Sequence, residues 1–224
     1  MATWAGFGCV HIQQALRGAG LISPHDALLR LQEGNARFAS DTVEHGSRDY
    51  RARRKQLVAG QEPFAIVVGC SDSRVPVEIV FDQGLGDLFV IRTAGNVVSK
   101  TQLASIEFAV GKYGVRVVVV LGHTGCGAME AAIGAVRGGG GPGSGGLRPL
   151  VEKFWPAAEH AIGIGASGDG DTAALVDIAA RENVRNAVGD ISGGSAAIGQ
   201  LVEDGELVVV GAEYCLATGV VEFF

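Results

Sequence analysis

The chain of 224 residues predicts an α/β fold, a mostly parallel central β-sheet flanked by helices and preceded by a pair of N-terminal helices. Three observations carry that expectation. The apolar runs are short and continuous rather than alternating, as in strands covered on both faces. Stretches of helical period separate them, at a spacing that suits right-handed strand–helix–strand crossovers. Hydrophobic residues make up 47% of the chain and charged ones 19%, enough to build a core and too apolar for a disordered chain. The length suits one domain, assigned to residues 24–224, after a poorly structured extension over 1–23.

The elements follow in order. The extension begins "MATWAGFGCVHIQQALRGAG", which has neither a basic segment followed by an apolar run nor strong periodicity, so it does not read as a secretory signal. A helix is predicted over 24–39, with Ser23 as N-cap, Pro24 at the first helical position, and Leu28, Leu31 and Phe38 along it. A second helix covers 48–59; its "RARRK" at 51–55 reads as a solvated face. Strands are expected at 64–69 (FAIVVG), 87–92 (DLFVIR) and 115–121 (VRVVVVL). Between the last two, a helix over 99–114 puts Leu103, Ile106 and Val110 on one side. A helix then runs from near Cys126 to about Arg137, and "GGGGPGSGG" at 138–146 is a loop. Helices are placed at 148–162, interrupted near Pro156, at 171–190, and around 195–203. The strand "ELVVVGAEY" at 206–214 and a turn at Thr218–Gly219 lead to the terminal "VVEFF". No internal repeat is visible.

Several function classes fall away. A net charge of −6 argues against a nucleic-acid partner, which needs a basic face. No apolar run approaches the ~18–20 residues that cross a bilayer, so no membrane association is expected. Four cysteines in a chain this long do not make a disulfide framework, and a reduced, cytoplasmic setting is expected. The pattern G-x-G-x-x-G starts at Gly138, Gly141 and Gly163, each time after a helical segment rather than a strand, which rejects a nucleotide fold.

The chemistry gathers at two strand ends. "GCSDSRVP" at 69–76 follows the first strand, and "GHTGCGAM" at 122–129 ends the third. His123 and Cys126, three apart in a turn that feeds a helix, face one way and can share a metal ion. Cys70 ends another strand, and ligands of parallel sheets gather outside the carboxyl ends of the strands. Singly, a strand-end cysteine is more often a small buried hydrophobe and H-x-x-C more often chance. Together, Cys70, His123 and Cys126 favour a metal site, one ligand short of a closed structural zinc site and so of the catalytic type. Cys9 and Cys215 read as structural, and His11, His25, His45 and His160 as scattered and exposed. Cys70, Asp72 and Arg74 alternate, so an extended backbone would point all three to one side, with Asp72 near the metal and Arg74 paired to it. The competing view of Asp72–Arg74 is an ordinary surface ion pair.

The motifs "CSDSR" and "HTGCG", with "RTAGN" at 92–96 and "SIEFAV" at 105–110, resemble those of β-class carbonic anhydrases, and the resemblance runs from about Ala27, through "LQEGNARF", to about Tyr214. It implies zinc-dependent, reversible hydration of carbon dioxide to bicarbonate by zinc-bound hydroxide. Cys70, His123 and Cys126 correspond to the zinc ligands, and Asp72 with Arg74 to the catalytic dyad. Asp72 would become a fourth ligand in a closed state. Gln61 corresponds to a glutamine that reaches a partner subunit's substrate. Phe89, Ala94 and Phe108 correspond to the apolar pocket, where some members carry valine and tyrosine at the last two positions. Gly127 would offer a backbone N–H. The resemblance also implies a homo-oligomer, a dimer or dimer of dimers, in which the N-terminal helices form an arm around the neighbour. Some members are inhibited through a tryptophan, an arginine and a tyrosine; Arg92 and Tyr214 match, but Val67 stands at the tryptophan position, so no such inhibition is expected. The rivals are a carbon disulfide or carbonyl sulfide hydrolase on the same scaffold and, more remotely, a non-catalytic zinc or redox module.

Overall fold

The protein is described by a computed structural model covering residues 22–44, 50–139, 141, 145–165 and 172–224. Residues 1–21, with Cys9 and His11, lie outside the described residues, as do His45, the start of the expected second helix and part of the glycine-rich loop.

The helix α1 (Pro24–Ala39) begins as the sequence predicts: the Asp26 N–H donates to Ser23 Oγ at 3.1 Å, and Pro24 takes the first turn, where a missing N–H costs nothing. Ala27 and Leu31 are fully buried against the chain's own sheet, and buried Asn35 donates to Val80 O and Gly219 O and accepts from Val221 N. The next helix, α2 (Tyr50–Leu57), buries no residue, in keeping with its charged sequence. It is held from outside, Arg53 donating to Leu85 O and pairing with Asp87.

The sheet orders its strands β2-β1-β3-β4-β5, made of β1 (Ala65–Cys70), β2 (Leu88–Thr93), β3 (Val117–His123), β4 (Val208–Tyr214) and β5 (Val221–Phe223). The first four are parallel and β5 is antiparallel, so the terminal "VVEFF" forms a short edge strand. β1 and β3 are buried along their whole length, and their residues alternate between two cores. Ala65, Val67, Val117, Val119 and Leu121 face α1 and α3 (Val77–Val80); Ile66, Val68, Val118 and Val120 face α4 (Lys100–Tyr113) and α7 (Thr172–Gly194). β2 departs from the expectation. It is an edge strand whose residues after Leu88 are half-buried or exposed, because only one neighbour and one helix lie against it.

A third apolar cluster sits beyond the carboxyl edge of the sheet, where α5 (Gly127–Arg137), α6 (Arg148–Gly165) and α7 pack Met129, Ile133, Phe154, Ala158 and Val176 under Cys70 and Cys126. α6 runs through Pro156 without the expected interruption. A proline inside a helix costs about 3 kcal/mol. Burial of Phe154, Ala157, Ala158 and Ala161 offsets that cost. α7 extends past the expected end to Gly194, and α8 (Ala196–Glu203), capped by Ser195, leads into β4.

Candidate active site

Parallel strands bring their carboxyl ends to one edge, and the register fixes which residues meet there. Gly69 of β1 stands opposite Leu121 of β3, so Cys70 and His123 leave neighbouring strands at nearly the same height. The chain after His123 turns and enters α5 with Cys126 as its N-cap. Cys70 Sγ, a ring nitrogen of His123 and Cys126 Sγ all lie within 4.8 Å of one another, and all three residues are buried.

The chemistry of this trio suits a metal ion. His123 Nδ1 lies 3.0 Å from Thr124 O, and since a carbonyl only accepts, Nδ1 carries the proton. Nε2 is then a bare lone pair, buried and without a hydrogen-bond partner among the described residues. An orphaned buried acceptor between two thiols is costly unless a cation fills the space. Two thiolates and one imidazole form the donor set that zinc accepts while keeping a fourth position open. The thiols already differ. Hydrogen bonding with Cys126, aided by His123 and the N–H groups of Asp72 and Gly95, lowers the Cys70 pKa against the opposing effect of burial. The same contact, with burial, pushes Cys126 up. For His123 the largest single effect, burial, acts downward, but Cys70, Thr124 O and Asp72 together raise its pKa.

Asp72 and Arg74 converge on this site, though not by the extended backbone expected. β1 ends at Cys70, and the chain turns at once, Val75 N–H donating to Asp72 O at 3.0 Å. The Arg74 N–H and Nε both reach Asp72 Oδ1 at 2.9 Å, while an Arg74 terminal nitrogen reaches Oδ2 at 2.7 Å. The carboxylate is thus gripped on both oxygens, an arrangement a loose surface pair does not have. Hydrogen bonding from the Arg74 side chain, partly opposed by desolvation, holds Asp72 well below the usual carboxylate range. Its Oδ2 lies 3.9 Å from His123 Nε2.

Ala94 and Gly127 also stand at this edge. Thr93 is in register with Cys70, so Ala94 follows directly beside it, and Gly127 is the first residue of α5, where the N–H has no partner within the helix. Gly95, between Ala94 and the buried Asn96, has φ +58°, and a Cβ there would meet the Phe154 ring at 2.6 Å; only glycine lets its N–H approach Cys70 Sγ at 3.3 Å. Gln61 and Phe89 are not brought to the metal-ligand cluster within the chain. Gln61 lies before the start of β1, about 20 Å of strand from Cys70. It donates to Tyr113 Oη at 2.9 Å beside a cavity of about 840 Å³. Phe89 stands opposite Ile66, well short of Cys70, and its ring lies 6.5 Å from that of Phe108 and 6.1 Å from that of Tyr113. Phe108 is 41% exposed, so this aromatic group opens outward.

Two supports escape sequence reasoning. Arg92 donates to Cys70 O at 2.8 Å and Asp72 O at 2.6 Å, bracing the turn between them. The pairing of Gly69 with Arg92 in the β1–β2 register places it there, and the local sequence does not carry that register. Asp177 of α7 accepts from the Gly125 N–H at 2.8 Å, and nothing in its sequence surroundings marks it.

The carbonic anhydrase family model matches residues 65–221, most of the chain. Carbonic anhydrase 2 of Mycobacterium tuberculosis (strain H37Rv) is 42% identical over 199 residues, covering 88% of this chain and 91% of that protein. A tetrameric β-carbonic anhydrase of Sordaria macrospora superposes with a TM-score of 0.67 at 25% identity, covering 78% of this chain and 89% of that one. A β-carbonic anhydrase of Aspergillus fumigatus does so with a TM-score of 0.67 at 26% identity, covering 89% of each. With the family model matched over most of the chain and the likeness running over nearly its whole length, the chain belongs to the β-carbonic anhydrase family of enzymes.

Proposed function

We propose that the protein catalyses the reversible hydration of carbon dioxide to bicarbonate and a proton, with zinc held by Cys70, His123 and Cys126. The single observation that carries this reading is the bare, buried His123 Nε2 between two thiols, 3.9 Å from an arginine-gripped carboxylate. Zinc bound there supplies Lewis acidity and lowers the pKa of a water, less strongly with two thiolates than with three imidazoles.

The remaining work belongs to the chain. Asp72 stays ionised beside the ligands and serves as orienter or proton acceptor for the attacking water. Arg74 keeps both Asp72 oxygens occupied, and so keeps the carboxylate from becoming a fourth ligand that would close the site. Ala94 offers an apolar wall to a substrate with no charge, and Gly127 a backbone N–H to the bicarbonate oxygen. Gln61, Phe89 and Phe108, which face outward together with Tyr113, complete the site of a second copy. That role makes the working form a dimer or dimer of dimers; the Sordaria relative is described as tetrameric. The free thiols of Cys70, Cys126 and Cys215 suit a reducing compartment such as the cytoplasm.

Metal analysis and stopped-flow hydration from about pH 6.5 to about pH 9 test this reading. About one zinc per chain and a rate that rises with pH are expected. Zinc without hydration at any pH would overturn it and direct attention to carbon disulfide and carbonyl sulfide as substrates.

A further inference from the structure

We infer that Asp177 is a positioning residue for the Asp72–Arg74 pair, acting through the Gly125 peptide; the inference rests on the role proposed above for that pair. Gly125 lies between His123 and Cys126, at φ +60°, with open space where a Cβ would point. Neither side-chain bulk nor a helix therefore fixes the orientation of this peptide. Besides the His123 Nδ1 contact on the preceding carbonyl, Thr124 O, what holds it is a hydrogen bond on each side of the residue. The Gly125 N–H donates to Asp177 Oδ1 at 2.8 Å, and Gly125 O accepts from an Arg74 terminal nitrogen at 3.2 Å. That same Arg74 nitrogen reaches Asp72 Oδ2.

The connection runs Asp177, Gly125, Arg74, Asp72, and each link is a contact of ordinary hydrogen-bond length. Its outer end is half-buried. Asp177 projects from α7 between Val176 and Ala179–Ala180, which are buried under the site. Without its carboxylate, Gly125 can rotate about its own φ and ψ at little steric cost, since glycine occupies both halves of the map. Gly125 O would then leave Arg74, whose guanidinium is otherwise held, among the described residues, only by the carboxylate it is meant to orient. Asp177 touches no reacting atom. Its contribution is to keep the arginine fork in the plane that grips Asp72 on both oxygens.

Two measurements on the zinc-loaded protein test this, one independent of activity. Hydrogen exchange of the Gly125 amide, read by NMR, should accelerate by about tenfold or more in Asp177→Ala and stay near wild type in Asp177→Asn, which keeps the acceptor oxygen. Hydration kinetics should show about a tenfold loss of kcat/KM in Asp177→Ala, with most of it restored in Asp177→Asn. In an Arg74→Ala background, Asp177→Ala should cost less than about twofold more, because its route to Asp72 is already cut. Unchanged Gly125 exchange in Asp177→Ala would overturn the inference, as would an Asp177→Asn as slow as the alanine variant. So would losses that multiply across Arg74→Ala. Should the wild-type protein hold zinc and hydrate nothing, the function proposed above fails, while the amide measurement still judges whether Asp177 holds the peptide.

Discussion

Two strand-to-helix turns supply the candidate site, and they are built by opposite means. The first, from Cys70 to Val77, is braced by charge: Arg92 grips two of its carbonyls from the edge strand, and Arg74 folds back on Asp72. The second, from His123 to Gly127, is clasped mostly by the backbone. Thr124 N–H donates to Tyr214 O at 3.1 Å and Leu216 N–H donates to Thr124 Oγ1 at 3.1 Å, while Asp177 and Arg74 bring charge to it only at Gly125. The turn that carries two candidate metal ligands is thus tied into the sheet. The turn that carries the ionisable pair is held by side chains that can release. A metal cage needs fixed distances, whereas a carboxylate that must stay off the metal needs a movable partner.

The comparison can be broken most severely at the clasped turn. His123→Ala removes the bare nitrogen, and metal analysis should find less than stoichiometric zinc, with hydration reduced on the order of 10³-fold or more. At the charge-braced turn, Asp72→Asn leaves the ligands in place. Zinc content should stay near wild type while hydration falls about 100-fold, the usual weight of a general base. A variant that also lost zinc would show that the two turns do not divide their tasks as described.

The sequence made some of this legible and hid the rest for physical reasons. Cys126 and His123 were readable because their relation is local, three positions along one turn. The strand positions of β1 and β3 were readable because burial on both faces leaves continuous apolar runs. Asp72 and Arg74 were singled out on an extended backbone that the structure does not follow, since a turn with its own side-chain hydrogen bonds brings the two together instead. β2 has the composition of a covered strand, and its place at the edge depends on the sheet order, which composition does not encode. Pro156 announced a break that burial of its neighbours overrode. Arg92 and Asp177 reach the site only through tertiary pairing, across stretches of ordinary sequence.

Smaller effects sharpen the same contrast. Arg92→Ala should slow hydration about tenfold or less and lower stability by about 1 kcal/mol, because its two bonds hold carbonyls that water can partly serve instead. A urea titration alongside the kinetics checks both. Beside the second turn, Glu213 of β4 stands opposite Gly122, with its Oε1 buried and unpartnered. Burial, only partly countered by Arg181, raises its pKa above the unfolded value. For a carboxyl raised in this way, the folded state binds the proton more tightly, so stability falls as pH climbs from the ordinary glutamate range of about 4.3 through the folded value. Glu213→Gln should therefore gain stability over wild type at about pH 8 relative to about pH 5, by a few tenths of a kcal/mol, as paired thermal melts would show.

The clasp on the second turn also has a consequence for how the protein is made. All three candidate metal ligands are in place by Cys126, but the groups that tie down the turn carrying His123 and Cys126 come from Asp177, Tyr214 and Leu216. At roughly 5–20 residues per second, a growing chain presents its thiols and imidazole for several seconds before the residues that lock them have been synthesised. During that interval these side chains face their surroundings without the order that would select a metal by distance. The protein must therefore rely on its far end to arrive before the near end is committed to another metal or to oxidation.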